Sequence, residues 1–122
     1  MDTNSSNQTP IKVSDEVIAV CAANAALRTE GVADLAGGIT NLLSKNLLGK
    51  EIATKGIKAT QTKDGIVIDV NIIVKFRTRI PSLAWEIQEH VRNEIMEMTG
   101  NKVSAVNINV QGVELPAGED DE

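Results

Sequence analysis

The sequence predicts a two-layer α+β domain, with two main helices packed on one face of a small mixed sheet. Three observations predict it. "IVIDVNIIVKF" (66–76) alternates apolar residues at a period of two, the signature of a strand with one buried face. "RIPSLAWEIQEHVRNEI" (79–95) repeats its apolar residues at helical spacing. The remaining segments add one more helix and further strands, in the order (β)-α-(β)-β-β-α-β.

A chain of 122 residues is long enough for one real core and short for two. With one Phe, one Trp and no Tyr, that core is built from Val, Ile, Leu and Ala. Base stacking and cation cages need more aromatic rings than this, which counts against both. Of the 17 acidic residues, four are the final Glu119, Asp120, Asp121 and Glu122, so the body sets 13 acids against 12 bases. A near-neutral body exerts no general pull on phosphate backbones, and nucleic acid is not an expected partner.

In chain order, residues 1–10 ("MDTNSSNQTP") read as a disordered leader and 11–114 as a single domain. Residues 115–122 read as an acidic, disordered tail. "IKV" (11–13) is suited to a brief strand before Ser14, an N-cap with Asp15 and Glu16 in the first turn. The first helix runs to Gly31, with Val17, Cys21, Ala25 and Arg28, flanked by Ile18, Ala22 and Leu27, at helical spacing. Its many alanines imply close approach to another backbone. "GVADLAGG" (31–38) is a short strand or extended segment closed by Gly37 and Gly38. Segment 39–50 fits an amphipathic turn or two, open to three readings: a lid on the sheet, a mobile loop, or a membrane or partner contact.

"GIKATQT", "KDG" and the long strand form a hairpin turning at Asp64-Gly65. Ile66, Ile68, Val70, Ile72, Val74 and Phe76 face one way, and Val67, Asp69, Asn71, Ile73 and Lys75 the other. Pro81 or Ser82 starts the second main helix and Gly100 ends it, with a core arc of Leu83, Ala84, Ile87, Val91, Ile95 and Met98. The last strand sets Val106, Ile108 and Val110 against Asn107, Asn109 and Gln111.

Chemistry-bearing patterns are few. Cys21, the one cysteine, sits among small residues as an inert core thiol, and no disulfide framework is available. Glu86, His90, Asn93 and Glu97 lie together on the second helix, with Glu94 at their edge; with a single histidine in the chain this reads as a solvated flank rather than a metal or acid–base site. There is no G-x-S-x-G, Walker A or G-x-G-x-x-G pattern. The element order invites comparison with KH RNA-binding domains, but no two glycines are spaced to make their GXXG clamp. No catalytic, cofactor or metal residues are therefore expected. Trp85 falls roughly opposite the core arc with Arg92 and Met96, the composition of an interface anchor, and these three form the candidate partner surface. The other reading is an Arg stacked over a partly exposed ring, or cover from a terminal segment. No segment has the length and apolarity of a membrane span and no signal peptide is visible, so a cytoplasmic protein is expected.

The segments "IKVSDEVIAVCAANAALRTEGV", "GIKATQTKDGIVIDVNIIVKF" and "RIPSLAWEIQEHVRNEIMEMTGNKVSAVNINVQGV" together resemble the alkaline-shock-protein (Gls-type) family of Gram-positive envelope-stress proteins, over about residues 11–114. The likeness is most specific at Ile80, Pro81, Gln88, Val91, Thr99, Gly100, Val106, Asn107, Ile108 and Val110. One departure is "KFRTRI", where the family commonly has an aromatic–Gly pair: Phe76 keeps the aromatic place and Arg77 replaces the glycine. The resemblance implies a non-enzymatic cytoplasmic protein of envelope homeostasis, without catalytic residues to carry over. It implies a homo-oligomer, with a membrane-embedded anchor protein as a further partner and no insertion of its own. A second branch of the family implies instead a regulator of fatty-acid synthesis, with a lipid-synthesis enzyme such as acetyl-CoA carboxylase as partner.

Overall fold

The computed structural model describes residues 12–37, 53–54 and 56–117, and seven described elements follow one another. They are α1 (Asp15–Leu27), β1 (Val32–Leu35), β2 (Ala53–Thr54), β3 (Ile57–Thr62), β4 (Gly65–Lys75), α2 (Ile80–Thr99) and β5 (Val103–Glu114). The expected class and order hold. The leader, residues 118–122 of the tail and the 39–50 segment lie outside the described residues.

β4 is the axis of the sheet. Its alternating Ile66, Ile68, Val70, Ile72 and Val74 are all buried beneath the helices. On one edge it pairs antiparallel with β3, from Thr62↔Gly65 to Ile57↔Val70, and then with β1, from Leu35↔Ile72 to Val32↔Val74. On the other edge it pairs in parallel with β5, from Ile66↔Val103 to Lys75↔Glu114. β2 adds to the outside of β3, which makes a five-stranded mixed sheet. A parallel neighbour needs a crossover, and α2 is that crossover.

The helices cover one face. α1 buries Ile18, Ala19, Cys21, Ala22, Ala23, Ala25 and Ala26, an arc wide enough to meet both the sheet and α2. Alanine makes this possible, since larger side chains on two adjoining sides would hold one neighbour away. Val17 and Leu27, expected among the helically spaced apolar set, lie on the outer side and are exposed together with Val20. The N-terminus is capped as expected, the Ser14 side chain accepting from Val17 N–H at 3.2 Å. Lys12 and Val13 form no strand. Instead Gln61 Nε2 on β3 donates to Val13 O at 3.0 Å and to Asp15 Oδ1 at 2.8 Å, pinning the start of α1 to the sheet.

α2 buries Leu83, Ile87, Val91 and Ile95 and stops at Gly100 in the left-handed conformation, φ 77°. Met98 departs from the expected core arc, being 61% exposed, because the last turn extends past the layer it packs on. Phe76 likewise leaves the buried series of β4: the strand ends at Lys75 and the chain turns, exposing the ring. In that turn Arg77 has φ 73°, the one non-glycine residue with positive φ among those described. A side chain held there costs about 1 kcal/mol. The glycine that the resemblance leads one to expect there would avoid this cost, and Arg77 stands in its place with its guanidinium 5.3 Å from the Phe76 ring centroid.

Where β3 gives way to β1 along the same edge of β4, Asn71 holds both. Its N–H donates to Gly56 O at 2.8 Å, its carbonyl accepts from Ala36 N–H at 2.9 Å, and its side chain adds a 3.2 Å bond to Gly56 O. Gly56 has φ 74°, and a Cβ on it would stand 2.5 Å from Ala36 O and 2.9 Å from Asn71 O. Backbone would have to move. Gly56→Ala is expected to destabilise the domain by ~3 kcal/mol in urea unfolding, whereas Gly100→Ala, with open space around it, is expected to cost ~1 kcal/mol. Equal losses at the two positions would show that the junction at Asn71 yields easily.

Candidate interaction surface

α2 presents two flanks on either side of its buried row, and they do different work. The flank toward α1 carries His90 and Glu94. Thr29, buried just beyond the end of α1, donates its hydroxyl hydrogen to Ala25 O at 3.0 Å. The 2.7 Å contact from Thr29 Oγ1 to His90 Nδ1 then requires the ring to donate, so the proton sits on Nδ1. One turn further, Glu94 Oε1 accepts from Arg28 Nη2 at 2.9 Å. The stripe read as a solvated flank is thus split: Glu86, Asn93 and Glu97 are exposed, while His90 and Glu94 tie α2 to the end of α1. Spacing along one helix could not show this, because both partners lie more than sixty residues away.

Glu94 also faces Cys21. Burial first, and the negative Glu94 second, push the Cys21 thiol above its ordinary value, which disfavours the reactive thiolate. The inert reading of this cysteine agrees with its place in the core. Among the described residues no three His, Cys, Asp or Glu side chains come together in a way that would hold a metal ion. An open cleft of ≈ 590 Å³ lies at the end of the sheet, lined by Lys75, Phe76, Glu114, Leu115, Pro116 and Ala117. Its lining mixes the charged Lys75 and Glu114 with the apolar Phe76, Leu115, Pro116 and Ala117.

The opposite flank of α2 carries Gln88, Arg92, Trp85 and Met96. Gln88 fixes its direction: Nε2 donates to Val106 O at 3.1 Å, so this flank hangs over β5. Beyond it Trp85 is 62% exposed and Met96 49% exposed, with Arg92 half-buried between them. The three residues expected to form a partner surface therefore share one side of the helix, next to β5. The open face of the sheet, on the side away from the helices, carries a row of amides. Asn107 Nδ2 donates to Asp69 Oδ1 at 2.9 Å and Gln111 Nε2 to Asn71 Oδ1 at 3.3 Å, with Asn109 exposed beside them.

The remaining motif positions now have structural roles. Thr99 Oγ1 donates to Ile95 O at 2.8 Å and accepts from Asn101 N–H at 3.1 Å, closing α2 before Gly100 turns left-handed. Over residues 3–115 the chain matches the alkaline-shock (Gls24-type) family, described as having a cell envelope-related function. The chain belongs to that family. It is 32% identical over 115 residues to YqhY of Bacillus subtilis, covering 94% of this chain and 84% of that protein. It is 34% identical over 111 residues to YloU of the same organism, covering 86% and 88%. A stress response regulator gls24 homolog of Streptococcus pyogenes is 24% identical over 109 residues, which span 89% of this chain and 61% of that one. The same fold occurs in solved structures of MamM CTD; a copper form superposes with a TM-score of 0.50 at 16% identity, covering 83% of this chain and 100% of that one.

The contact between the helices makes a quantitative expectation. Thr29→Val removes the hydroxyl's two hydrogen bonds and leaves the His90 Nδ1–H without a partner, and is expected to lower stability by ~2 kcal/mol in thermal or urea unfolding. Arg28→Ala, which breaks a pair half open to solvent (53% and 24% exposed), is expected to cost ~0.5 kcal/mol or less. If the two losses came out in the reverse order, the surface ion pair rather than the Thr29–His90 bond would be what joins the helices.

Proposed function

We propose that this chain is a non-catalytic, cytoplasmic interaction protein of the envelope stress response, acting through self-association and through protein partners. The observation that carries this is the exposed Trp85, which shares with Arg92 and Met96 the flank of α2 that no described residue covers. A large indole in water is a poor arrangement for a solitary protein, and Trp, Arg and Met are the residues enriched where protein surfaces meet. The family's envelope-related description and the stress-regulator relatives supply the setting.

Among the described residues no helix is long and apolar enough to cross a membrane. In this reading any position at the envelope is conferred by a membrane-embedded partner that holds the protein. Cross-linking in cells followed by capture of the chain is expected to return the chain itself together with an integral membrane protein. Recovery of lipid-synthesis enzymes in their place would replace this reading with the regulatory one.

Trp85 gives the sharper test. Trp85→Glu puts a charge where a desolvated anchor is needed and is expected to shift the protein toward monomer in sedimentation velocity, weakening association by ~30-fold or more. The substitution lies on an exposed position, so the melting temperature should stay close to that of the parent. An unchanged sedimentation profile would remove Trp85 from the interface.

A further inference from the structure

The outer edge of β5 is a second uncovered feature beside Trp85, and it has an order of its own. Ile66 N–H donates to Lys102 O, so Ile66, Ile68, Val70 and Ile72 turn their backbone groups toward β5. Val106, opposite Ile68, must then turn its own groups away from β4, and its carbonyl is indeed the one that Gln88 reaches. Alternation extends this to Ile108 and Val110. Among the described residues no strand pairs with these outward groups.

Edge strands are normally protected by charges, prolines, bulges or brevity, and β5 has register shifts at 103–105 and 110–112 with a regular stretch between them. The strand runs from Val103 to Glu114, and from 103 to 113 its sequence "VSAVNINVQGV" holds neither a charge nor a proline. From Val106 to Val110 it is a palindrome about Ile108. The mirror is broken beyond that at Ala105 against Gln111 and Ser104 against Gly112, where the ladder to β4 also shifts register, before matching again further out. Val106 mirrors Val110, Asn107 mirrors Asn109, Val103 mirrors Val113, and Lys102 mirrors Glu114, its opposite in charge.

We infer that β5 pairs with β5 of a second copy, antiparallel about a two-fold axis at Ile108, joining two sheets into one continuous sheet. The inference rests on the self-association proposed above and names its contact. In this register Val106, Ile108 and Val110 face Val110, Ile108 and Val106 of the other copy and exchange about six backbone hydrogen bonds. Val106 keeps Gln88, since a carbonyl accepts two bonds. Asn107 faces Asn109 of the other copy on the open side of the sheet, and Lys102 approaches Glu114 of the other copy at each end. A pairing of unlike segments would have no reason to carry this mirror order.

The helices agree with it. α2 runs antiparallel to β5, and Gln88 lies over Val106. Trp85 is three residues back along α2, ~4.5 Å, and Ile108 two residues on along β5, ~6.6 Å, in the same direction. Trp85 therefore stands near the level of the axis, where the α2 flanks of the two copies meet. The edge provides register and the indole provides desolvated area.

The test uses charge at the mirrored asparagines of the full chain, both exposed. Asn107→Lys with Asn109→Lys sets like charges against each other twice across the axis, and is expected to weaken association about tenfold or more in sedimentation velocity. Asn107→Lys with Asn109→Glu sets opposite charges in the same places and is expected to associate as the parent does. Lysine is placed at 107 because Asp69 already faces that position. Circular dichroism checks that both variants fold. If the parent associates and the two variants behave alike, the β5 pairing is overturned while self-association stands. A parent that is monomeric at all concentrations overturns the self-association reading itself.

Discussion

Everything in this domain is arranged around a strand that is paired on both edges and buried on one face. β4 contributes Ile66, Ile68, Val70, Ile72 and Val74 to the core and gives its backbone groups alternately to β5 on one side and to β3 and β1 on the other. A strand with both edges occupied cannot slip by one residue without moving its whole apolar set to the open face. Register in β4 therefore fixes where each neighbour starts. The handover at Asn71 is the point of least freedom, where two strand ends share one residue and Gly56 passes too close for any side chain.

The helices inherit their places from that strand. α2 must cross from the end of β4 to the start of β5, so it lies over β5 and fills the groove with Leu83, Ile87, Val91 and Ile95. α1 takes the remaining half of the same face. It is squeezed between the sheet and α2, which its alanines permit, and it is held at both ends by polar contacts. Gln61 grips its first turn, while Thr29 and Arg28 meet His90 and Glu94 beyond its last. Those contacts orient the helices. The burial of Ile18 and the small residues around it supplies the larger part of the stability.

Legibility in the sequence followed the range of each interaction. The alternation of β4, the Asp64-Gly65 hairpin, the Ser14 cap and the Gly100 stop are local patterns, and all were readable. Met98 and Phe76 were misread because periodicity states a direction and not where the facing layer ends. Val17 and Leu27 were misread because an alanine-rich helix gives little contrast between its faces. His90 and Glu94 were legible as a stripe, yet their partners sit at the end of another helix, which no spacing within "WEIQEHVRNE" encodes. The candidate surface divides in the same way. Trp85, Arg92 and Met96 could be grouped from helical angles alone. That they flank an uncovered strand edge depends on β5 being the outermost strand, a property of topology.

That division gives α2 a logic of its own. Its α1-facing flank is closed by a buried hydroxyl, an imidazole and an ion pair, so the relation of the two helices is settled within one copy. Its other flank bears exposed apolar and cationic groups over a strand edge whose backbone groups have no described strand partner. A domain can leave such an edge open only if something makes it safe, and over the regular stretch 106–110, between the two register shifts, neither charge nor proline does so. The ladder to β4 shifts register at 103–105 and 110–112, which disturbs the two ends of the edge, and Gln88 occupies the Val106 carbonyl. The regular stretch between the shifts leaves the outward groups of Ile108 without a described partner. An edge guarded at one residue and mirrored about the next but one is better explained as a defined contact than as an oversight, because mirrored order has value only when the same edge meets itself.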